Sequence, residues 1–408
     1  MPRHQTPFFA AALWASPFRP FFLLALAYGP LLIAAWLATL HGLWPPTALP
    51  AGLWHGHEMI FGFAMAVIVG IALTALPGWA GTPEIHGRRL AVLVVLWLAG
   101  RAAFHLAPHL PAHLPAVIDN LLLPVLIAFL APQLLRAAKP LYLLLLPILA
   151  ALGAANIAFY AAHSGADPAR AASALHAALY AIIVLFVLKG GVLTQVFTGN
   201  ALRARGRGTQ ASFRRGLETV ATAAVVALAI ADLGGAPRAL SGGLALFCAL
   251  VHAWRTARWQ GWRVIDEPLV LLMQFGFLWL ILAFALKAAA DLGGLVPANT
   301  WIHAFTVGAL GMMMLSLMTR VGLRHTGRPL ALPASLRAAA LLMLAAALLR
   351  QAVEVAGLGL RPLTLAAVLW GAAILVPLCR FGPLLLRPSL PRAAARADAT
   401  AARPPSGG

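Results

Sequence analysis

Apolar runs of about twenty residues, each separated from the next by proline, glycine or arginine, recur along the whole chain, and a run of that length crosses the hydrocarbon core of a bilayer as a helix. Twelve are present, at 20–42, 54–78, 88–106, 115–136, 140–163, 170–197, 216–233, 236–256, 266–292, 298–322, 333–357 and 360–380. Lipid offers no partner for backbone N–H and C=O groups, so each run must satisfy them internally as an α-helix. The expected fold is an all-α, polytopic membrane protein of about twelve transmembrane helices. One transmembrane domain occupies 1–385, and a cytoplasmic tail over 386–408, rich in Ala, Pro and Arg, reads as disordered. The short connections at 233–236 and 357–360 predict tight helical hairpins. With 62% hydrophobic and 10% charged residues, a water-soluble domain of this length is excluded.

Positive charge sets the expected orientation, because cytoplasmic loops retain Lys and Arg. With the N-terminus inside, twenty-three of the thirty Lys and Arg residues fall in cytoplasmic segments. Only Arg170, Arg238 and Arg361 fall outside, and Arg101, Lys189, Lys287 and Arg350 lie within runs. Both termini are therefore expected in the cytoplasm. The net charge of +19 follows from this asymmetry and from attraction to anionic lipid, so no nucleic-acid partner is expected. The basic start MPRHQTPFFAAALWASP suggests a short surface helix rather than a signal peptide, since Arg19 and Pro20 lead straight into a full span. The two cysteines, Cys248 within the eighth run and Cys379 near the inner end of the twelfth, offer no disulfide framework and are expected to pack as small apolar residues.

Against this apolar background, Trp54-His55-Gly56-His57-Glu58 opens the second run with two imidazoles and a carboxylate inside about one turn. On a regular helix His55 and Glu58 share a face, while His55 and His57 differ by about 200° and can serve two different sites. His176 and His303 lie near the starts of the sixth and tenth runs, which begin on the same side of the membrane. At 1.5 Å per residue all four fall within about 10 Å of one surface. Each alone could cap a helix or bond a carbonyl, but four at one depth favour a site, since neutral imidazole ligates metals and haem iron. His41 sits at the same level. His105, His109, His113 and His163 fall in or near loops on that side, whereas His4, His86, His252 and His325 lie at the opposite side. Lys287 with Asp291, and Arg350 with Glu354, are i, i+4 pairs expected to neutralise one another, while Arg101 or Asp119 could instead partner a cofactor or its ligands. Lys189 before Gly190-Gly191 is expected to snorkel to the inner interface, and Met312, Met313, Met314 and Met318 to pack.

PFRPFF (Pro17 to Phe22), WHGHEMIFGFAMAVIVGIALTALPGW (Trp54 to Trp79), LWLAGR (Leu96 to Arg101) and HAFTVGALGMMMLSLMTRVGLRHTGRPL (His303 to Leu330) together resemble the NnrS family. The likeness runs from the first through the tenth helix. It implies a twelve-helix protein of the bacterial inner membrane containing haem b and copper, associated with denitrification and with protection against nitric oxide stress. The chain departs from the family pattern at Arg324, where a Gly usually stands, and at Gly190-Gly191-Val192-Leu193-Thr194-Gln195, where Gly-Gly-Arg-Val-Ile-Pro is usual. The resemblance suggests that His55, His57, His176 and His303 bind haem and copper, with Glu58 orienting an imidazole or delivering protons and Trp54 shielding the site. Nitric oxide is the implied ligand. Its reduction to nitrous oxide, supplied by an electron donor the sequence does not name, is the sharpest expectation; sensing or sequestering it fits equally.

Two other classes meet part of the pattern. A haem-copper oxidase subunit also has twelve spans, but it needs an adjacent His-His pair and a second closely spaced pair late in the chain, and neither is present. A secondary transporter without metal would place an acidic residue near Gly-Arg-Arg in the second loop, and Glu84-Ile85-His86-Gly87-Arg88-Arg89 meets that only in part. Comparing the first six runs with the last six reveals no repeat.

Overall fold

The computed structural model describes residues 12–43, 49–137, 140–209 and 211–391. Each apolar segment is helical: α1 (Phe18–Leu40), α2 (Ala51–Gly78), α3 (Gly87–His105), α4 (Leu114–Leu134), α5 (Leu141–Ser164), α6 (Pro168–Ala204), α7 (Arg215–Leu233), α8 (Arg238–Arg258), α9 (Pro268–Gly293), α10 (Thr300–His325), α11 (Ala334–Val355) and α12 (Leu360–Leu385). Among the described residues there is no strand, and ten of these helices are long and apolar enough to cross a membrane. The other two, α3 and α8, carry Arg88, Arg89 and Arg101, and His252, Arg255 and Arg258. The chain is a multi-pass, all-α membrane protein. The surface helix expected ahead of α1 falls largely outside the described residues, as does most of the tail.

Local chemistry sets the helix ends. Asp167 accepts from the Arg170 backbone N–H at 3.0 Å and caps α6, with Pro168 in the first helical position. The two predicted hairpins turn at Gly235 and Gly357, with φ of 70° and 62°, a left-handed conformation that glycine adopts without a Cβ penalty.

Burial shows which helices are central. The apolar windows of α2 and α10 are 83% and 72% buried, against 22% for α7 and 28% for α11. Leu31, Ile157, Ile230, Leu250 and Leu341 instead face outward from the surrounding helices, as lipid contact requires. The bundle closes where α12 returns against α1. There the buried Arg19 of the PFRPFF stretch donates to the carbonyls of Leu385 (2.7 Å) and Arg387 (2.6 Å) and to Ser389 Oγ (2.9 Å), so its guanidinium fills orphan acceptors at the end of α12.

Three helices leave the α pattern for a π-helical stretch: α2 at Glu58–Ala64, α6 at Phe186–Gly190 and α10 at Ala304–Leu310. In each the fifth residue is glycine: Gly62, Gly190 and Gly308. The recurrence falls every four helices, which a comparison of the two halves does not reveal. Neighbours close onto these glycines. A Cβ at Gly62 would lie 2.6 Å from the Tyr28 ring, and one at Gly308 2.3 Å from the Trp279 ring. The wider turns leave carbonyls for other helices to bond: Trp97 Nε1 donates to Gly62 O at 3.1 Å, and the buried Arg255 to Val187 O at 3.0 Å. Gly308→Val is expected to lower stability by about 1–3 kcal/mol through overpacking. The check is the thermal unfolding midpoint in detergent; an unchanged midpoint would show that the Trp279 ring has room to retreat.

Candidate functional site

At the end of the bundle where α2, α6 and α10 begin, a cavity of about 500 Å³ opens between α1, α2, α6, α10, α11 and α12. Its walls are chiefly apolar, built from residues such as Ile33, Ile60, Leu175, Val307, Ala366 and Trp370. Gly56 lies in the wall beside His55, and a Cβ there would stand 3.0 Å from Leu175, so glycine lets α2 approach α6. His55, His176 and His303 all line this cavity, as does Arg350 of α11.

The three imidazoles differ in what holds them. His55 stacks on Trp36 (centroids 4.7 Å apart, planes at 29°), and its buried Nδ1 has no hydrogen-bond partner. His303 faces Arg350, whose Nη2 lies 3.1 Å from His303 Nδ1 and 3.4 Å from its Nε2, while Nη1 donates to Glu354 at 2.6 Å. Arginine offers only donors, so the His303 nitrogen there accepts. The Arg350–Glu354 pair expected to be self-neutralising thus also fixes a cavity histidine. His176 lies 6.2 Å from Trp301, which stacks on Tyr180 at 5.5 Å. Behind that wall Tyr180 donates to Asp232 at 2.7 Å, and Lys287 pairs with Asp232 (2.7 Å) and Asp291 (3.0 Å). The predicted Lys287–Asp291 pair therefore gains a third member from α7.

His57 points elsewhere. It is fully buried, stacked on Phe104 at 4.2 Å, with Nδ1 2.9 Å from Glu58 Oε1 and Nε2 2.9 Å from Asn156 Oδ1. Both ring nitrogens are engaged, which leaves no lone pair for a metal. Glu58 pairs with its neighbour His57 rather than with His55, whose face it shares at regular i, i+3 spacing. Arg101 bridges Glu58 and Asp119, and Tyr28 donates to the second Glu58 oxygen. Tyr160 and Asn156 donate to Asp119 at 3.1 and 3.2 Å. Arg101 and Asp119 do not line the cavity. His105, read from sequence as a loop histidine, lies 2.7 Å from Tyr28 Oη and is the solvent-reaching end of this network.

Of the remaining sequence candidates, His41 bonds Thr364 at 2.9 Å, and Trp54 is buried beside His105. Glu84, the acidic residue of the transporter-like loop, accepts from Ser16; burial pushes its carboxyl above the usual range, and the Ser16 hydroxyl opposes that shift. Arg350, Trp36 and Asn156 were missed as site residues. Asn156, a lone amide inside the fifth apolar run, was the available signal. Among the described residues no three His, Cys, Asp or Glu side chains converge as a metal site.

A family model described as NnrS protein matches residues 12–389, nearly the whole chain. No curated protein matches it.

Proposed function

We propose that this chain, which belongs to the NnrS family, holds haem b in the cavity shared by His55, His176 and His303 and handles nitric oxide there. The observation that carries this reading is the buried, unpartnered Nδ1 of His55 in the wall of a large apolar chamber that also contains Arg350. The donor set fits the group. His55 would supply one imidazole nitrogen to the iron and His176 a second, while Arg350, seated against His303, would offer a guanidinium for the propionate carboxylates. Bound there, haem supplies an iron centre that takes diatomic ligands and accepts or passes an electron. The walls are chiefly apolar, and Trp36 holds the His55 ring by stacking. Glu58 acts at one remove, fixing His57 and Arg101 beside the cavity rather than touching a ligand in it.

Copper fits less well, because no three donors converge among the described residues, and no step is assigned to it. The setting we infer is a bacterial inner membrane crossed about twelve times, with both termini cytoplasmic. Reduction, sensing and sequestration of nitric oxide all draw on the same site; reduction needs an electron donor from outside the chain. The protein purified in detergent from haem-supplemented cells is expected to show a Soret band, a b-type pyridine haemochrome and a spectral shift with nitric oxide. No Soret band in any preparation, with none formed on adding haemin, would overturn the proposal and favour solute transport, measured in proteoliposomes.

A further inference from the structure

A second, smaller cavity of about 90 Å³ lies directly inward of the first along the same three helices. On α6 the wall passes from Leu179 in the first cavity to Ile182 in the second, and on α10 from Val307 to Leu310. Three residues of helix rise only about 4.5 Å, so the two spaces are less than one turn apart on both helices. On α2 the interval is longer, from Ile60 to Val67, a rise of about 10 Å, and Leu145 of α5 completes the inner wall.

The lining is hydrocarbon and thioether apart from Lys189, whose Nζ is directed to the Leu141 carbonyl at 3.4 Å and lies over the Tyr142 ring at 4.5 Å. The π stretch of α6 ends here at Gly190, where a Cβ would press to 3.3 Å from Met313 Cε; glycine leaves that flexible methyl at the wall. A water molecule needs two to four polar partners to be held in a cavity, and these walls do not provide them. Dry apolar cavities of about 150 Å³ hold benzene or xenon, so this smaller one has room for a small apolar molecule.

We propose that this inner cavity is a binding station for small uncharged gases, from which they pass to the histidine-lined cavity beyond. The station is argued from its own walls; the passage onward rests on the haem reading. Xenon is the probe for the first part. Xenon-129 NMR of the detergent-solubilised protein is expected to detect a bound pool, and xenon-pressurised crystals to place it between Ile182 and Leu310. Ile71→Phe and Leu310→Phe fill the space and are expected to abolish that pool. Ile71→Ala, which enlarges it, is expected to strengthen xenon binding and keeps the test open if a filled variant fails to fold. Absence of xenon from the wild-type cavity would overturn the station. For the second part, recombination of carbon monoxide after flash photolysis should slow several-fold in the filled variants with the Soret maximum unmoved. Unchanged recombination in a variant that has lost xenon would overturn the passage. A protein that binds xenon but shows no Soret band would overturn the passage and the haem reading while leaving the station in place.

Discussion

Replacing His55 with alanine is expected to remove the Soret band, whereas replacing His57 with alanine is expected to leave it in any protein that folds. The two residues are separated by one glycine, yet their surroundings are opposite. His55 presents a buried ring nitrogen with no partner to a chamber of about 500 Å³. His57 has both nitrogens tied to Glu58 and Asn156 and its face covered by Phe104. An imidazole already donating or accepting at both nitrogens cannot also ligate iron, while an orphan nitrogen in an apolar wall gains by doing so. His176→Ala is expected to weaken haem retention and shift the reduced spectrum, because it removes the candidate second donor, whereas His303→Ala acts only through Arg350 and is expected to weaken retention less. Haem content per protein and the reduced-minus-oxidised spectrum of each purified variant decide the matter. Full haem content in His55→Ala would remove that residue from the ligand set.

The largest loss of stability is expected at Arg101. Its guanidinium reaches Glu58 with one arm and Asp119 with the other, all three side chains being at most 6% exposed. Arg101→Leu leaves two buried carboxylates facing one another without their cation, and breaking one partner from such a pair costs about 3–5 kcal/mol. Arg101→Lys is expected to recover only part of the loss, since an ammonium is a point charge and cannot bridge two carboxylates as a planar fork does. Removing the charges along with the cation, in Arg101→Leu with Glu58→Gln and Asp119→Asn, is expected to restore more than the lysine does. The exposed pair of Arg207 with Asp266, 2.7 Å apart, is the control: Arg207→Ala should barely move the midpoint. The measurement is thermal unfolding in detergent together with membrane accumulation. An Arg101→Leu protein as stable as the parent would mean the network contributes no net stability.

Much of the candidate site was legible before any coordinates. His55, His176 and His303 could be assigned one depth because axial position follows from counting residues along a helix, which depends on local spacing alone. The same arithmetic failed around the helix. Regular spacing puts Glu58 on the face of His55, but Arg101 and Tyr28 from other helices hold its carboxylate, and it meets His57 instead. Arg350 read as half of a local i, i+4 pair, and that pair is present; its contact with His303 joins positions on different helices and has no local signature.

The sequence by itself determined the class of solvent, the helical segments and the level of each imidazole, since apolar length and residue count are local properties. Tertiary structure alone decided which imidazoles share a chamber and which is locked into an ion network. That choice depends on how each helix is turned about its axis, and the turning is set by π stretches and by glycines that admit a neighbour's ring.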